Sequence, residues 1–125
     1  MPSSDISYQT RDNETFTGYL ARPDGDGPFP GILMITAIFG IDEEMQELAN
    51  AWAADGFVVS VPDIFWRVMP GPTADMKLAF KRYGDFDFDK GMDDVEDLIT
   101  DLRGRDVCNG KVAVACFASN VARLK

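Results

Sequence analysis

The sequence predicts an α/β fold: a mixed β-sheet with an N-terminal antiparallel hairpin, followed by parallel strands that crossover helices connect. Two observations carry this prediction. The segment Ile32–Ile35 is an apolar run without polar alternation, which is typical of a strand buried on both faces. A helical pattern and a second apolar run, Phe57–Val61, follow it. The stretch Gly31–Asp63 is therefore predicted to be one βαβ unit with a right-handed crossover.

Composition and charge narrow the class of protein. The chain has 125 residues, 46% hydrophobic and 26% charged, which suits a single soluble globular domain over residues 1–125. Its net charge of −9 disfavours nucleic acid and anionic membrane surfaces, because both would repel it. No apolar run approaches the ~20 residues that span a bilayer, and the N-terminus lacks a signal-peptide pattern. We therefore expect a cytoplasmic protein.

Two β-prone stretches at the N-terminus predict the antiparallel hairpin. They are Ile6–Thr10 and Thr15–Arg22, with a polar turn between them. The Pro- and Gly-rich segment Pro23–Pro30 then predicts a loop. The strand Ile32–Ile35 after this loop is expected at the centre of the sheet.

The crossover helix has clear start and stop signals. Asp42 is a favourable N-cap, and Gly56 predicts the helix end at the C′ position. Between them, apolar residues recur at helical spacing and form one stripe toward the sheet. This stripe consists of Met45, Leu48, Ala49, Trp52 and Ala53.

The second half of the chain predicts two helices and a third parallel strand. Ile64–Thr73 contains a Pro-Gly-Pro sequence and predicts a loop, and Ala74–Tyr83 predicts a short helix. Gly91–Leu102 predicts a longer helix, and after a turn at Asn109-Gly110 the segment Lys111–Ala115 predicts a strand. The longer helix has a core stripe of Met92, Val95, Leu98, Ile99 and Leu102.

The cysteine and histidine counts limit the chemistry. If Lys111–Ala115 is a strand rising ~3.3 Å per residue, Cys108 and Cys116 are some ~20 Å apart, too far for a disulfide. Both are then free thiols, which suits a reducing compartment. The chain contains no histidine. Any mechanism that needs an imidazole base must obtain it from outside these residues.

Four stretches together resemble one known family. They are Ile38-Phe39-Gly40 after the first parallel strand, Gly56–Val59 with Pro62–Arg67, the Phe86–Glu96 segment, and Asn109–Val112. In order and approximate spacing they resemble the dienelactone hydrolase family of α/β-hydrolases, from about residue 5 onward. The resemblance implies an α/β-hydrolase-like fold. It also implies the hydrolysis of small esters or lactones without a cofactor. It covers the first half of such a fold, whereas the family's catalytic Asp and His come from the second half.

The resemblance leaves two alignments for the nucleophile. In the family, the third parallel strand runs into a nucleophile elbow, Gly-x-Cys-x-Gly-Gly, whose small residues are a steric requirement of a strained turn. One alignment places Cys116 at the nucleophile position and requires a two-residue deletion in the strand. The ungapped alignment places Ala118 there and leaves Cys116 at the first Gly position. In a third interpretation, Cys116 is a small apolar residue that ends a strand.

The resemblance also implies an oxyanion hole. The backbone N–H groups of Ile38 and Phe117 match the family's two donors, and backbone donors survive side-chain changes. Alternatively, Ile38 and Phe39 simply cover the core. Family members commonly have a carboxylate just before Ile38 that helps to control the reactive thiol, and this chain has Ala37 there.

The polar substrate contacts of the family are not kept. Met76 and Phe80 occupy the positions that match its substrate-contacting Arg and Tyr. Phe39 and Phe80 are then candidate apolar contacts with the substrate. Arg82 and Arg67 are the candidate replacements for the missing cation.

An acidic stretch partly matches a calcium-binding loop. The matching residues are Asp85, Asp87, Asp89, Asp93 and Glu96. Lys90 stands where the sharp turn of such a loop needs Gly, so we interpret the stretch as a solvated acidic surface and expect no metal site.

Two hypotheses of function follow. The chain is a dienelactone-hydrolase-like hydrolase of a small ester or lactone, or it is a non-catalytic hydrolase half that acts through association with another chain. In the family's strand order, Lys111–Ala115 lies beside Ile32–Ile35 and would form a sheet edge with unpaired backbone groups. We therefore expect self-association through this edge.

Overall fold

The computed structural model describes residues 3–116, which form five strands and three helices. The elements in chain order are β1 (Ser3–Gln9), β2 (Thr15–Ala21), β3 (Phe29–Ile35), α1 (Glu43–Ala54), β4 (Val58–Pro62), α2 (Met76–Gly84), α3 (Phe88–Gly104) and β5 (Cys108–Cys116).

The strands form one mixed sheet in the order β1-β2-β4-β3-β5. β1 pairs antiparallel with β2, and β2 pairs antiparallel with β4. β3 pairs parallel with both β4 and β5. The predicted hairpin and the βαβ unit β3-α1-β4 are therefore confirmed. The expectation that β3 lies at the centre is wrong for the described strands, because the hairpin joins the sheet through β4 and places β4 in the middle.

β3 and β5 each start earlier than the sequence pattern indicates. The Phe29 N–H donates to the Val107 carbonyl at 2.7 Å, and Phe29 pairs with Cys108, so the ladder starts inside the predicted loop. The predicted turn at Asn109-Gly110 lies within β5, where the register shifts. Gly110 has φ +89 at this irregularity, a conformation that favours glycine. The turn signal thus marks a bulge inside a strand.

Helix α1 starts and ends as predicted. The Asp42 carboxylate accepts a hydrogen bond from the Met45 N–H at 3.0 Å, which caps the helix. Gly56 follows the helix with φ +107 at the C′ position. Ala49 and Ala53 are fully buried within one apolar cluster that the sheet completes through Met34, Val59 and Val61.

Helix α3 covers the opposite face of the sheet. Leu98 and Leu102 belong to a buried cluster with Leu33, Ile35 and Val58. Met92, predicted in the same stripe, is instead 58% exposed, because it lies one turn beyond the part of α3 that contacts the sheet. Helix α2 buries Ala79 and Arg82. None of the helices in residues 3–116 is long and apolar enough to cross a membrane.

Candidate functional site

An apolar cavity of about 170 Å³ lies at the carboxyl ends of β3 and β5, beside the start of α3. This end of a parallel sheet is where α/β proteins bind ligands. The sheet side of the cavity consists of Ile35, Thr36, Ala37, Ile38 and Cys116. Its other walls come from Ile64, Phe65, Tyr83, Phe86, Phe88, Gly91, Met92 and Val95.

The cavity brings together two of the residues that the sequence marks as catalytic candidates. Cys116 and Ile38 both line it. Cys116 pairs with Ile35 across the parallel ladder, so the last residue of β5 lies beside the last residue of β3. Both cysteines are free thiols, as predicted, and Cys116 is exposed whereas Cys108 is buried.

The backbone at Cys116 is that of a regular strand. Asn13 is the one residue besides glycine with positive φ in the described part of the chain, so Cys116 is not in the strained turn of a nucleophile elbow. The ungapped alignment places the nucleophile position two residues later, at Ala118. Ala118 and the second candidate oxyanion donor, Phe117, lie outside the described residues.

The loop after β3 contains Ile38, one of the residues that line the cavity. The Gly40 N–H closes the loop onto the Ala37 carbonyl at 3.1 Å, with Gly40 at φ +78. No hydrogen bond among residues 3–116 uses the Ile38 N–H as donor. This N–H is therefore unpaired among residues 3–116, and its role as an oxyanion donor stays a prediction. The Ile38 side chain is buried with Phe65 and Ala79, so Ile38 also covers the core.

Arg82 does not face the cavity, contrary to its expected role as a substrate-binding cation. Its side chain is 1% exposed, and its guanidinium donates to the backbone carbonyls of Ile38, Met69 and Gly71. It also lies 4.7 Å from the centroid of the Phe65 ring. Burial lowers the pKa of Arg82, and the nearby Asp63 carboxylate partly offsets this effect. Through these hydrogen bonds, Arg82 holds the loop that contains Ile38 in place.

Arg67 is likewise occupied within the protein. It makes a bidentate contact with the buried Asp94 carboxylate, at 3.1 and 3.0 Å, and a further contact with Glu14 at 3.1 Å. Its guanidinium stacks 4.3 Å above the Trp66 ring. The hydrogen bonds that Arg67 donates to Asp94 are the main reason that the pKa of Arg67 is raised. This expected substrate contact is therefore a structural link between α3 and the loop after β4.

The two aromatic candidates differ in position. Phe80 is 45% exposed on α2 and is not part of the cavity wall. Phe39 is half-buried against the cluster that contains Ile38, and its carbonyl accepts from the Thr73 N–H at 3.0 Å. Sequence reasoning missed Thr36 and Tyr83 as cavity residues. No local signal marks either of them, because the cavity is lined by segments that lie far apart in the sequence.

The acidic stretch takes part in helix formation. Asp87 caps α3 by accepting from the Lys90 N–H at 3.1 Å, and the residues from Phe88 onward are helical. The spacing of a calcium loop is therefore not realised. Residues 3–116 contain no group of three or more Asp, Glu, His or Cys side chains that could hold a metal ion.

Comparison with known proteins identifies related sequences and folds. The model of the dienelactone hydrolase family matches residues 16–122. The carboxymethylenebutenolidase of Pseudomonas putida is 30% identical over 123 residues, which cover 94% of this chain and 52% of the relative. Carboxymethylenebutenolidase 1 of Cupriavidus pinatubonensis is 29% identical over 123 residues, with the same coverage. The chain thus spans about half the length of these curated relatives.

Solved structures show the same fold. A dienelactone hydrolase-like promiscuous phosphotriesterase from metagenomic libraries superimposes with a TM-score of 0.72 at 20% identity. The match covers 93% of this chain and 48% of that one. At this identity the likeness supports the α/β-hydrolase architecture alone.

Proposed function

This chain belongs to the dienelactone hydrolase family, and from that premise we propose that it forms one half of a hydrolase site for small esters or lactones. One observation carries the proposal: Cys116 and the Ile38 loop line the same cavity at the carboxyl end of the parallel strands. A thiol and a backbone N–H without a partner among residues 3–116, at residues that line one apolar cavity, would suit an ester carbonyl. The two unpaired thiols also favour a reducing compartment such as the cytoplasm.

In this proposal, the Cys116 thiolate attacks the ester carbonyl, and the Ile38 N–H stabilises the oxyanion that forms. The family resemblance adds the Phe117 N–H as the second donor. Turnover additionally requires a base that forms the thiolate and an acid that protonates the leaving group. Because the chain has no histidine, the imidazole must come from outside these residues. The chain alone is therefore expected to be acylated without turning over.

A second candidate function is a non-catalytic hydrolase half that works through association with another chain. Two observations favour it. Cys116 lies in a regular strand that pairs with Ile35 and not in an elbow. The strand β5 is also one of the two edge strands of the described sheet, with Val114 49% exposed.

An acylation experiment separates the two candidates. The full chain is incubated with p-nitrophenyl acetate, and both released p-nitrophenolate and protein mass are followed. The site proposal predicts one acetyl group on Cys116, formed as a thioester when p-nitrophenolate leaves, and no turnover afterwards. Folding should accelerate this reaction relative to the urea-unfolded chain, because the oxyanion donor is then in place.

Matched variants complete the experiment. Cys108→Ala should leave acetylation unchanged, whereas Cys116→Ala should abolish it. Acetylation of Cys116 at the rate of the unfolded chain would favour the non-catalytic candidate. Sustained turnover that depends on Cys116 would contradict the claim that the chain needs an external histidine.

A further inference from the structure

We propose that Asp63 is a positioning residue, which sets the direction of the Ile38 N–H by holding the loop after β4 against the turn that follows β3. The inference rests on the proposed function, in which this N–H stabilises the oxyanion. Asp63 is not among the described residues that line the cavity, so it acts on the reaction only through other residues.

The direction of the Ile38 N–H is set within the turn of residues 37–40. A trans peptide group is planar, so the Ala37 carbonyl and the Ile38 N–H point in opposite directions. The Gly40 N–H donates to this carbonyl at 3.1 Å, with Gly40 at φ +78. A displacement of Gly40 would therefore turn the peptide group that contains the proposed oxyanion donor.

The loop after β4 packs closely against this turn. A Cβ at residue 40 would lie 3.2 Å from the Gly71 carbonyl oxygen and 3.3 Å from Nη2 of Arg82. The Thr73 N–H also donates to the Phe39 carbonyl at 3.0 Å. The position of the turn thus depends on where the loop after β4 holds Gly71.

Asp63 is the side chain that anchors the N–H of Gly71. It directly follows β4, is 5% exposed, and accepts a hydrogen bond from the Gly71 N–H through Oδ2 at 2.8 Å. Its own backbone N–H donates to the Thr17 carbonyl in β2 at 3.0 Å, which connects it to the sheet. The Gly71 carbonyl accepts a hydrogen bond from Arg82. Two buried side chains therefore bind both backbone polar groups of Gly71, and Asp63 links them to the sheet.

The first test compares two reactions of the same thiol. When p-nitrophenyl acetate acetylates Cys116, an oxyanion forms before p-nitrophenolate leaves, whereas alkylation by iodoacetamide displaces iodide without an oxyanion. In Asp63→Ala we expect acetylation of the folded chain to slow by about tenfold, less than the roughly 10²-fold loss for a whole oxyanion donor. Alkylation of Cys116 should be unchanged. Mass spectrometry measures both rates in a Cys108→Ala background.

Three comparisons make this test specific. Asp24→Ala, at an exposed position in the loop before β3, is the control and should change neither rate. Asp63→Asn keeps an oxygen that can accept from the Gly71 N–H, so its acetylation should be faster than that of Asp63→Ala. An equal loss of acetylation and alkylation in Asp63→Ala would indicate a merely structural role and overturn the inference. Unchanged acetylation in Asp63→Ala would overturn it as well.

The second test uses the native chain, and so decides the matter even if Asp63→Ala does not fold. Hydrogen exchange at increasing urea concentration shows which N–H groups open together. Those of Gly40, Gly71 and Thr73 should open as one unit, with the same free energy and urea dependence. Opening of Gly40 separately from Gly71 would overturn the inference. Acetylation of Cys116 that folding does not accelerate would instead contradict the proposed function.

Discussion

Arg82 is the most unusual residue of the described chain, because a guanidinium is buried without an ion pair. Its three acceptors are backbone carbonyls of two loops, at Ile38 on one side and at Met69 and Gly71 on the other. Arg82 therefore joins the loop after β3 to the loop after β4. The family's use of arginine for substrate binding does not apply to this residue.

Replacing Arg82 tests this structural role. Arg82→Met should lower the free energy of unfolding by about 2–4 kcal/mol, because three backbone carbonyls, that of Ile38 in a buried contact, lose their donor. Lys81→Met is the control: Lys81 is exposed and contacts Asp85 at 3.5 Å, so its loss should cost less than about 1 kcal/mol. Urea denaturation measures both. Equal effects of the two substitutions would contradict the role of Arg82.

The two thiols are expected to react at different rates. Cys116 is exposed, whereas Cys108 is buried near the Lys111 carbonyl. A thiol reagent should label Cys116 at least about tenfold faster, because Cys108 reacts only after local opening of the structure. Mass spectrometry of peptides from the labelled protein gives both rates, and the urea-unfolded chain gives the reference in which they converge. Slow labelling of Cys116 would show that this residue is covered in solution.

At the scale of elements, α3 joins three parts of the fold. Asp94 on α3 binds Arg67 in the loop after β4, and Asp97 binds Arg11 in the turn of the hairpin at 2.9 Å. The hydrogen bond from Arg11 is the main cause that lowers the pKa of Asp97. The start of α3 also forms a wall of the cavity through Gly91 and Met92.

We expect the packing of α3 to require glycine at position 91. A Cβ at residue 91 would lie 2.3 Å from Cζ of Phe86, whose ring is held edge-on between Phe65 and Phe88. Gly91→Ala should therefore destabilise the protein by about 1–2 kcal/mol, although alanine favours a helix. Thermal and urea unfolding provide the measurement.

Two comparisons make the Gly91 prediction specific. Gly104→Ala, at the end of the same helix, has no atom within 4 Å of the added Cβ and should be neutral or slightly stabilising. In a Phe86→Leu background the smaller side chain should remove most of the cost of Gly91→Ala. A stabilising effect of Gly91→Ala in the native sequence would show that the Phe86 ring moves freely.

At the scale of the whole molecule, β5 is an edge strand of the sheet that residues 3–116 form. Among the described strands, β5 pairs only with β3. Val114 on its surface and Phe88 and Met92 on the neighbouring helix are large exposed apolar residues. An edge strand with unpaired backbone groups and few charges is a template for pairing with another chain. We propose that the chain associates through this edge.

Light scattering across a range of protein and salt concentrations tests the association. The mass should exceed that of one 13.8 kDa chain, and salt should promote assembly by screening the net charge of −9 over ~10 Å. Val114→Lys should shift the protein toward the monomer, whereas Ser7→Lys on β1, at the other edge, should not. A monomer at all concentrations with a cooperative unfolding transition would contradict the proposal.

The sequence by itself determined the fold and the family. The apolar run of β3 predicts a buried parallel strand, and Asp42 and Gly56 define α1, because backbone hydrogen bonding and side-chain periodicity act over only a few residues. The short motifs around Ile38-Phe39-Gly40 and Asn109–Val112 carry the family resemblance for the same reason. Local patterns of this kind can be recognised before any tertiary contact is known.

Only the tertiary structure shows which contacts the candidate site residues make. Arg82 reaches the Ile38 carbonyl 44 residues away, and Arg67 reaches Asp94 27 residues away. No local sequence pattern indicates either partner. From the sequence, both arginines therefore looked available to bind a substrate. The cavity likewise forms only where the ends of β3 and β5 meet the start of α3. The physical reason is that burial and hydrogen-bond pairing depend on which distant segments meet. The packing of the helices on the sheet determines which segments these are.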